Sequence, residues 1–211
     1  MAEDPSPSLV FDTATDTIVV AVVSNGLVVA SRHDSTVRAQ SVLRIIGDVL
    51  DDAGVALPDV RAIGIGTGPG GFTGLRVGVA TARGLALALN VPLAELSTLA
   101  AIAWNHSLRE QDEPVWALLD AKRGEVFARR YVRQSGIAGF SMLADSPLHV
   151  VQSESVQQLI ADAACTDQPV HPGGLAEQMH LASLCDPMEV VPRYGREPDA
   201  RERPTVGIGS A

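Results

Sequence analysis

The sequence has few of the residues that common catalytic sites require. Lysine occurs once, at Lys122, so the chain has no P-loop, whose phosphate-binding motif needs a lysine before Ser or Thr. No two of the five histidines are three or four residues apart, so no pair of metal ligands can share one turn of a helix. No Gly-x-Ser-x-Gly motif for a nucleophilic serine occurs either. The sequence therefore predicts no catalytic residue, no metal site and no cofactor.

Long apolar runs and cysteines are also scarce. No stretch of about 18 purely apolar residues is present, and the first five residues lack the basic region and apolar core of a signal peptide. We therefore expect a cytoplasmic protein that does not associate with a membrane. In that reducing compartment the two cysteines, Cys165 and Cys185, are expected to be free thiols. With 46% hydrophobic residues the chain can still bury a globular core.

Positive charge is in deficit, because the net charge is −9 at pH 7. Affinity for nucleic acid comes largely from basic side chains that neutralise phosphates. We therefore do not expect this chain to hold an RNA by itself. The cluster Arg123, Arg129, Arg130 and Arg133 is either a local basic patch or the solvated face of a strand.

The most informative segment is glycine-rich. It runs from Gly68 to Gly78, with the sequence Gly-Pro-Gly-Gly-Phe-Thr-Gly-Leu-Arg-Val-Gly, and is called the signature loop below. It connects a predicted strand at residues 62–66 to a predicted apolar helix at residues 73–90. Glycines permit positive φ angles or close approach of the backbone, and a helix N-terminus favours anions. One interpretation is a dinucleotide fingerprint, but Pro69 and the long segment before the loop argue against it.

Within the signature loop we expect structural roles. Gly70 and Gly71 are predicted to adopt φ angles closed to other residues, Phe72 to fill the core, and Thr73 to cap the helix. In the dinucleotide interpretation Glu95 would be the acidic partner. The positions assigned to this loop are Gly68, Pro69, Gly70, Gly71, Phe72, Thr73, Gly74 and Arg76.

The order of predicted elements indicates the fold class. Strands are predicted at 8–11, 18–23 and 27–31, with an Asn-Gly hairpin turn, then a helix at 38–53 ended by glycine, then the strand and helix around the signature loop. This βββαβα order is that of a ribonuclease-H-like unit. A second, shorter unit of this kind follows. It has predicted strands at 115–119 and 125–133, a glycine-rich turn near 136–139, a helix at 153–164 and a weak strand at 169–172. We predict an α/β protein with a duplicated ribonuclease-H-like (actin-like ATPase, ASKHA) fold and a reduced second half, in two domains, 1–105 and 106–211, with a frayed tail.

Several segments resemble one family, in the family's own order. Besides the signature loop they are residues 11–15, 79–88, 92–99, 120–127 and 192–200. Together they resemble the TsaB (YeaZ) family, the non-catalytic subunit of the bacterial complex that makes N6-threonylcarbamoyladenosine in tRNA. The resemblance covers the whole chain but is thin between residues 131 and 191.

The resemblance implies a scaffold rather than an enzyme. A TsaB-like subunit binds and activates the metal-dependent paralogue TsaD, which transfers the threonylcarbamoyl group to adenosine 37 of tRNAs reading codons that begin with A. The ATPase TsaE joins the pair, tRNA is contacted only through the complex, and a homodimer forms when the partner is missing.

Two acidic residues at strand ends leave a competing enzyme class open. In actin-like ATPases, phosphate loops follow first strands as acid-x-Gly patterns. Here Asp12 is followed by Ala14 where glycine is expected, and Asp120 by Lys122. These are remnants of a nucleotide site or simply turn-capping aspartates. The alternative function is a small actin-like ATPase or sugar kinase that uses both aspartates around magnesium-ATP.

The helix after the signature loop carries small residues at four-residue spacing, namely Gly74, Gly78, Ala82 and Ala86. Such a stripe permits another helix to pack closely. We predict that it forms the interface with a partner, and the alternative is packing against the helix at 38–53 of the same chain.

Overall fold

The computed structural model describes residues 6–35, 41–107, 113–134, 141–161 and 164–195. The first part of the chain forms β1 (Ser8–Asp12), β2 (Ile18–Ser24), β3 (Leu27–Asp34), α1 (Val42–Ala53), β4 (Ala62–Gly66), α2 (Phe72–Leu89), β5 (Leu93–Leu96) and α3 (Thr98–Ser107). The second part forms β6 (Val115–Lys122), β7 (Glu125–Gln134), β8 (Ser141–Ala144), β9 (His149–Gln152), α4 (Val156–Ile160), β10 (Cys165–Thr166) and α5 (Pro172–Leu181).

The first sheet has the strand order β3-β2-β1-β4-β5. Strand β1 is antiparallel to β2 and parallel to β4, which is parallel to β5. Asn25 and Gly26 have φ angles of 52° and 73° and close the predicted β2–β3 hairpin. Gly54, at φ 66°, ends α1 in the left-handed conformation, as the sequence predicts.

The second sheet also has five strands, and it repeats this topology in part. Its order is β10-β6-β7-β8, and β9 pairs with the other end of β7. As in the first sheet, the first strand is antiparallel to its hairpin partner and parallel to the strand that follows a helix. The duplicated α/β fold with a reduced second half is therefore confirmed.

The two sheets and their helices form alternating layers. Helices α1 and α2 cover one face of the first sheet, where Phe11, Ile45 and Ile65 are buried together. The opposite face shares a second core with α3, α5 and the second sheet, and this core joins Val10, Leu175 and Tyr131. Helix α4 packs on the far side of the second sheet. The predicted domain boundary at residue 105 falls inside α3, next to this shared core.

Several predicted elements differ from those observed. Helix α1 begins at Val42, and residues 38–40 of the predicted helix lie outside the described residues, as do the predicted turn at 136–139 and the tail. The predicted strand at 169–172 is wrong, because the strand is Cys165–Thr166 and α5 begins at Pro172. Helices α3 and α5 and the short strands β8 and β9 were not predicted.

Helix α2 is the one helix of the described residues that is long and apolar enough, by length and composition alone, to cross a membrane. It contains Arg76 and Arg83, and Arg83 donates hydrogen bonds to the carbonyl oxygens of Pro187 and Met188. One face of α2 packs on the first sheet, and core helices of globular proteins meet the same criteria. Both cysteines are free thiols, as predicted.

Candidate functional site

A cleft of about 710 Å³ lies between the two halves of the fold. Its walls are the loop after β1, the signature loop, the turn between β6 and β7, and Tyr194 from the C-terminal segment. The loops after β1 and β6 are the equivalent loops of the two repeats, so the duplication itself brings them together. The cleft therefore lies where both predicted phosphate loops converge.

The signature loop is tied to the loop after β1. The backbone N–H of Gly71 donates to the carbonyl oxygen of Ala14 at 2.7 Å, and the hydroxyl of Thr13 donates to the carbonyl oxygen of Gly74, also at 2.7 Å. A Cβ at Gly70 would lie 2.3 Å from the Ala14 oxygen, and one at Gly74 would lie 2.0 Å from the Thr13 oxygen. These glycines are required because two backbone segments touch.

The positive φ angle of the signature loop lies at Gly68, at 112°, and not where the sequence predicts it. Gly71 has φ −63° and a Cβ there would meet only an ordinary contact at 3.4 Å. Gly71 is also the N-cap residue, so the prediction that Thr73 caps α2 is wrong and Thr73 lies exposed in the first turn. The Gly68–Pro69 peptide is cis.

Phe72 does not fill the core, which corrects a second prediction. Its side chain is 47% exposed at the rim of the cleft. The ring of Tyr194 lies 4.8 Å from the Phe72 ring, and the guanidinium of Arg76 lies 4.7 Å from the same ring. Stacking of this kind stabilises an exposed aromatic side chain. The loop thus presents an aromatic and basic cluster to solvent at the start of α2.

Asp12 is a buried structural residue. Its carboxylate accepts hydrogen bonds from the backbone N–H of Ala14 and from the hydroxyl of Thr98, each at 2.7 Å. Burial raises the pKa of Asp12, and the two hydrogen bonds oppose that rise. A Cβ at Gly66 would lie 1.9 Å from a carboxylate oxygen of Asp12, so glycine is needed beneath it. Asp12 does not line the cleft among the residues the structure describes there.

Asp120 lies at the cleft and is exposed. Its carboxylate accepts from the backbone N–H of Lys122 at 2.7 Å, and this hydrogen bond is the main cause that lowers its pKa. The ammonium of Lys122 bridges Asp120 at 3.2 Å and Asp16 at 3.1 Å. The hydrogen bonds to these two carboxylates raise the pKa of Lys122, and the bond to Asp16 is the larger cause. The only lysine of the chain therefore joins the two repeats across the cleft, a contact that the sequence did not indicate.

The small-residue stripe of α2 faces its own sheet. Gly78, Ala82 and Ala86 are buried, and a Cβ at Gly78 would lie 2.1 Å from the Thr13 hydroxyl oxygen. The prediction that Gly74, Gly78, Ala82 and Ala86 contact a partner is therefore wrong, because the first sheet and the loop after β1 already cover this stripe. The alternative, packing against α1, is not observed at Gly74 and Gly78, whose nearest neighbours lie in the loop after β1 and in β4.

The opposite side of α2 and the adjacent side of α1 face solvent. Leu43 and Leu87 are 58% and 57% exposed. Ala80, Gly84 and Ala88 on α2 and Gly47 on α1 are exposed as well. These residues, together with Phe72, are called the outer helical face below. Its signal in the sequence is the pair of mid-helix glycines, which no packing within the described chain requires.

The predicted arginine cluster is divided by the pleat of β7. Arg130 pairs with Asp145 and lies over the Trp116 ring, whereas Arg129 donates to the carbonyl oxygen of Ser146 and lines a different cavity. Arg123 lies at the cleft. Glu95, the acidic residue of the dinucleotide interpretation, forms an ion pair with Arg193. Among the described residues, no group of three or more His, Cys, Asp or Glu side chains is arranged to hold a metal ion.

The chain matches one family model and several individual proteins. The family model described as TsaD, tRNA N6-adenosine threonylcarbamoyltransferase, matches residues 29–165. The chain is 37% identical to the tRNA threonylcarbamoyladenosine biosynthesis protein TsaB of Escherichia coli over 61% of this chain and 57% of that protein. It is 30% identical to an uncharacterised protein of Mycobacterium tuberculosis over 93% of this chain and 94% of that one.

The fold comparison extends over most of the chain. YeaZ from Pseudomonas aeruginosa aligns with a TM-score of 0.76 and 27% identity, covering 88% of this chain and 98% of that one. The chain matches little more than half the length of the named TsaB relatives, 57% for the Escherichia coli protein. The signature loop, the duplicated fold and these matches together show that the chain belongs to the TsaB (YeaZ) family.

Proposed function

We propose that this chain is the non-catalytic subunit that binds and activates a TsaD-like threonylcarbamoyltransferase during formation of N6-threonylcarbamoyladenosine at position 37 of tRNA. The names of its relatives support the pathway. The observation that supports a binding role is the outer helical face, where apolar and very small residues of two helices are exposed to solvent. Exposed apolar patches on folded proteins commonly mark interfaces.

The two exposed glycines of this face, Gly47 and Gly84, indicate that another helix packs closely against it. Apart from the adjacent backbone of the same helix, no atom of the described residues lies within 4 Å of where a Cβ would stand at Gly47 or Gly84. A glycine inside a helix costs about 1 kcal/mol relative to alanine. Since the fold of the chain itself does not need these glycines, close approach by a partner helix explains them. We propose that the equivalent helices of a TsaD-like paralogue pack here, and that two copies of this chain use the same face when the paralogue is missing.

The cleft supports a non-catalytic role. Both oxygens of Asp12 accept buried hydrogen bonds, and Lys122 stands between Asp16 and Asp120 where an actin-like ATPase would hold magnesium-phosphate. A metal-bound phosphate would need free carboxylate or water ligands at this place. We propose that TsaE-like ATPase and tRNA join through the assembled complex, in keeping with the net charge of −9.

The second candidate is a nucleotide-binding ATPase or sugar kinase. It is favoured by the volume of the cleft, about 710 Å³, and by Arg123 and Lys122 in its wall. A calorimetric titration with magnesium-ATP separates the two functions. Turnover of ATP by the isolated protein, lost on Lys122→Met, supports the ATPase and contradicts a purely non-catalytic subunit.

The main test compares two charge substitutions at equally exposed leucines. Leu87→Asp lies on the outer helical face, and Leu143→Asp lies on β8 of the second half, where the side chain is 55% exposed. We expect Leu87→Asp to weaken binding to a purified TsaD-like paralogue by on the order of 100-fold, because an unpaired charge would be buried at the interface. Leu143→Asp should bind as the wild type does. Equal affinity of both variants, with circular dichroism unchanged, would place the interface elsewhere.

A further inference from the structure

A second cavity, of about 390 Å³, lies apart from the outer helical face. Residues 67–69 form one wall, where the cleft described above uses residues 70–74. The end of β5, the middle of β7 and the C-terminal segment form the other walls. Polar and charged side chains from these three segments converge here, namely Glu95, Ser97, Arg129, Tyr131 and Arg193.

The two arginines are positioned by the backbone. Arg129 lies in β7 opposite Ala117 of β6, and its Nε donates to the carbonyl oxygen of Ser146 at 3.1 Å. The backbone N–H of Arg193 donates to the carbonyl oxygen of Thr67 at 2.7 Å, and its guanidinium is bound by Glu95. Two separate segments thus hold two guanidinium groups at one cavity.

Arg129 lacks an acidic partner among the described residues. Its side chain is half-buried, and its hydrogen-bond partners among those residues are the Ser146 carbonyl and the Tyr131 hydroxyl. The neighbouring Arg130, on the other side of the strand, has Asp145 at 3.0 Å. A partly buried guanidinium is stabilised by an anion that accepts its remaining N–H groups. The cavity therefore carries two positive groups against the single carboxylate of Glu95, in a chain whose net charge is −9.

Tyr131 contributes a hydroxyl group to the lining of this cavity. Its side chain is 2% exposed, and its hydroxyl lies 3.3 Å from the hydroxyl of Ser97. Burial is the main cause that raises the pKa of Tyr131, so the hydroxyl keeps its proton and can donate to an anion. This donor lies in the same wall as the Arg129 guanidinium.

We propose that this cavity binds a small oxyanion, a carboxylate or a phosphate monoester, through Arg129 and the Tyr131 hydroxyl. Arg193 also lines the cavity and adds positive charge, although its guanidinium is paired with Glu95. The volume is within the range of small-molecule sites in proteins, which begins at roughly 300 Å³. The site does not depend on the proposed partner face.

The test uses inorganic phosphate and succinate as probes, each titrated at constant ionic strength in chloride and followed by calorimetry. We expect one or both to saturate at millimolar concentration. Arg129→Gln should weaken binding on the order of ten-fold by removing charge-assisted hydrogen bonds. Arg130→Gln removes the same charge from the adjacent position and should leave affinity unchanged. Binding of phosphate alone, or of succinate alone, identifies which oxyanion the cavity takes.

Two further substitutions keep the proposal testable if Arg129→Gln folds poorly. Tyr131→Phe retains the buried ring and removes only the hydroxyl, and we expect it to weaken binding several-fold. Glu95→Gln removes the competing carboxylate and should strengthen binding. The proposal is overturned if neither probe saturates with the wild type, if Arg130→Gln weakens binding as much as Arg129→Gln, or if Tyr131→Phe and Glu95→Gln both leave affinity unchanged.

Discussion

Gly70 and Gly71 are adjacent in the signature loop, but they meet different surroundings. A Cβ at Gly70 would stand 2.3 Å from the Ala14 oxygen, whereas one at Gly71 would stand 3.4 Å from it. Backbone atoms of the β1 loop cannot move aside without breaking the hydrogen bond between Ala14 and Gly71. We expect Gly70→Ala to lower the free energy of unfolding by about 2–3 kcal/mol and Gly71→Ala by less than about 1 kcal/mol. Urea denaturation measures both, and equal losses would contradict this assignment.

Asp12 makes the stability of the folded chain depend on pH. Burial raises its folded pKa above the ordinary value of 3.8, so the unfolded chain loses this proton at lower pH than the folded chain does. The contribution of Asp12 to stability is therefore largest at low pH and declines as pH rises from 3.8 through the folded pKa. Asp12→Asn cannot titrate and keeps an oxygen for the Ala14 N–H. Its stability relative to the wild type should increase between about pH 4 and pH 7.

Asp120→Asn is the matched control, because the pKa of Asp120 is lowered in the folded protein. That group stabilises the fold above its unfolded pKa and loses the effect as pH falls through its folded pKa. Its variant should therefore lose stability relative to the wild type as pH rises from below the folded pKa of Asp120 to about 3.8, by a small amount since the side chain is exposed. Denaturant midpoints across pH measure both slopes. Slopes of the same sign would contradict the buried role of Asp12.

At the scale of elements, the exposed glycines of α1 and α2 separate folding from binding. Gly47→Ala and Gly84→Ala add a methyl group in open space, so each should raise the free energy of unfolding by about 0.5–1 kcal/mol. The same substitutions should weaken association at the outer helical face, because a partner helix could no longer approach as closely. Gly54→Ala, at φ 66°, should instead destabilise the chain by about 1 kcal/mol. Unchanged binding by both helical variants would contradict the proposed interface.

The elements predicted correctly are those with a strong local signal. Strands β1, β2 and β4 are short apolar runs bounded by turn residues, and α1 has apolar residues at helical spacing. Helix α3 is apolar on most sides and lacks that spacing, and α5 opens on Pro172-Gly173-Gly174, which is typical of a turn. For α2, small residues lie on both sides, so sequence spacing does not tell which side the sheet covers. The predicted stripe therefore lies on the face of α2 that the sheet covers, and the exposed small residues of the opposite face were missed.

At the scale of the molecule, one core joins both repeats. Val10 of the first sheet and Tyr131 of the second belong to a single buried cluster that also contains Met179 of α5. The ion pair of Lys122 with Asp16, which crosses the cleft, is exposed, and such pairs contribute about 0–1 kcal/mol. Burial in the shared core, and not this bridge, therefore holds the two repeats together. A molecule organised in this way should unfold as one unit.

Hydrogen exchange tests that expectation directly. If the shared core couples the repeats, the most protected amides of β1 and β6 should exchange with the same, global free energy of opening. Met179→Ala removes a side chain that is 2% exposed in this core, and it should lower both values together by about 2–4 kcal/mol. Met179→Leu nearly conserves the volume and should lower them by less than about 1.5 kcal/mol. If β6 opened at a lower free energy than β1, and Met179→Ala changed only one of them, the repeats would be independent domains divided near residue 105.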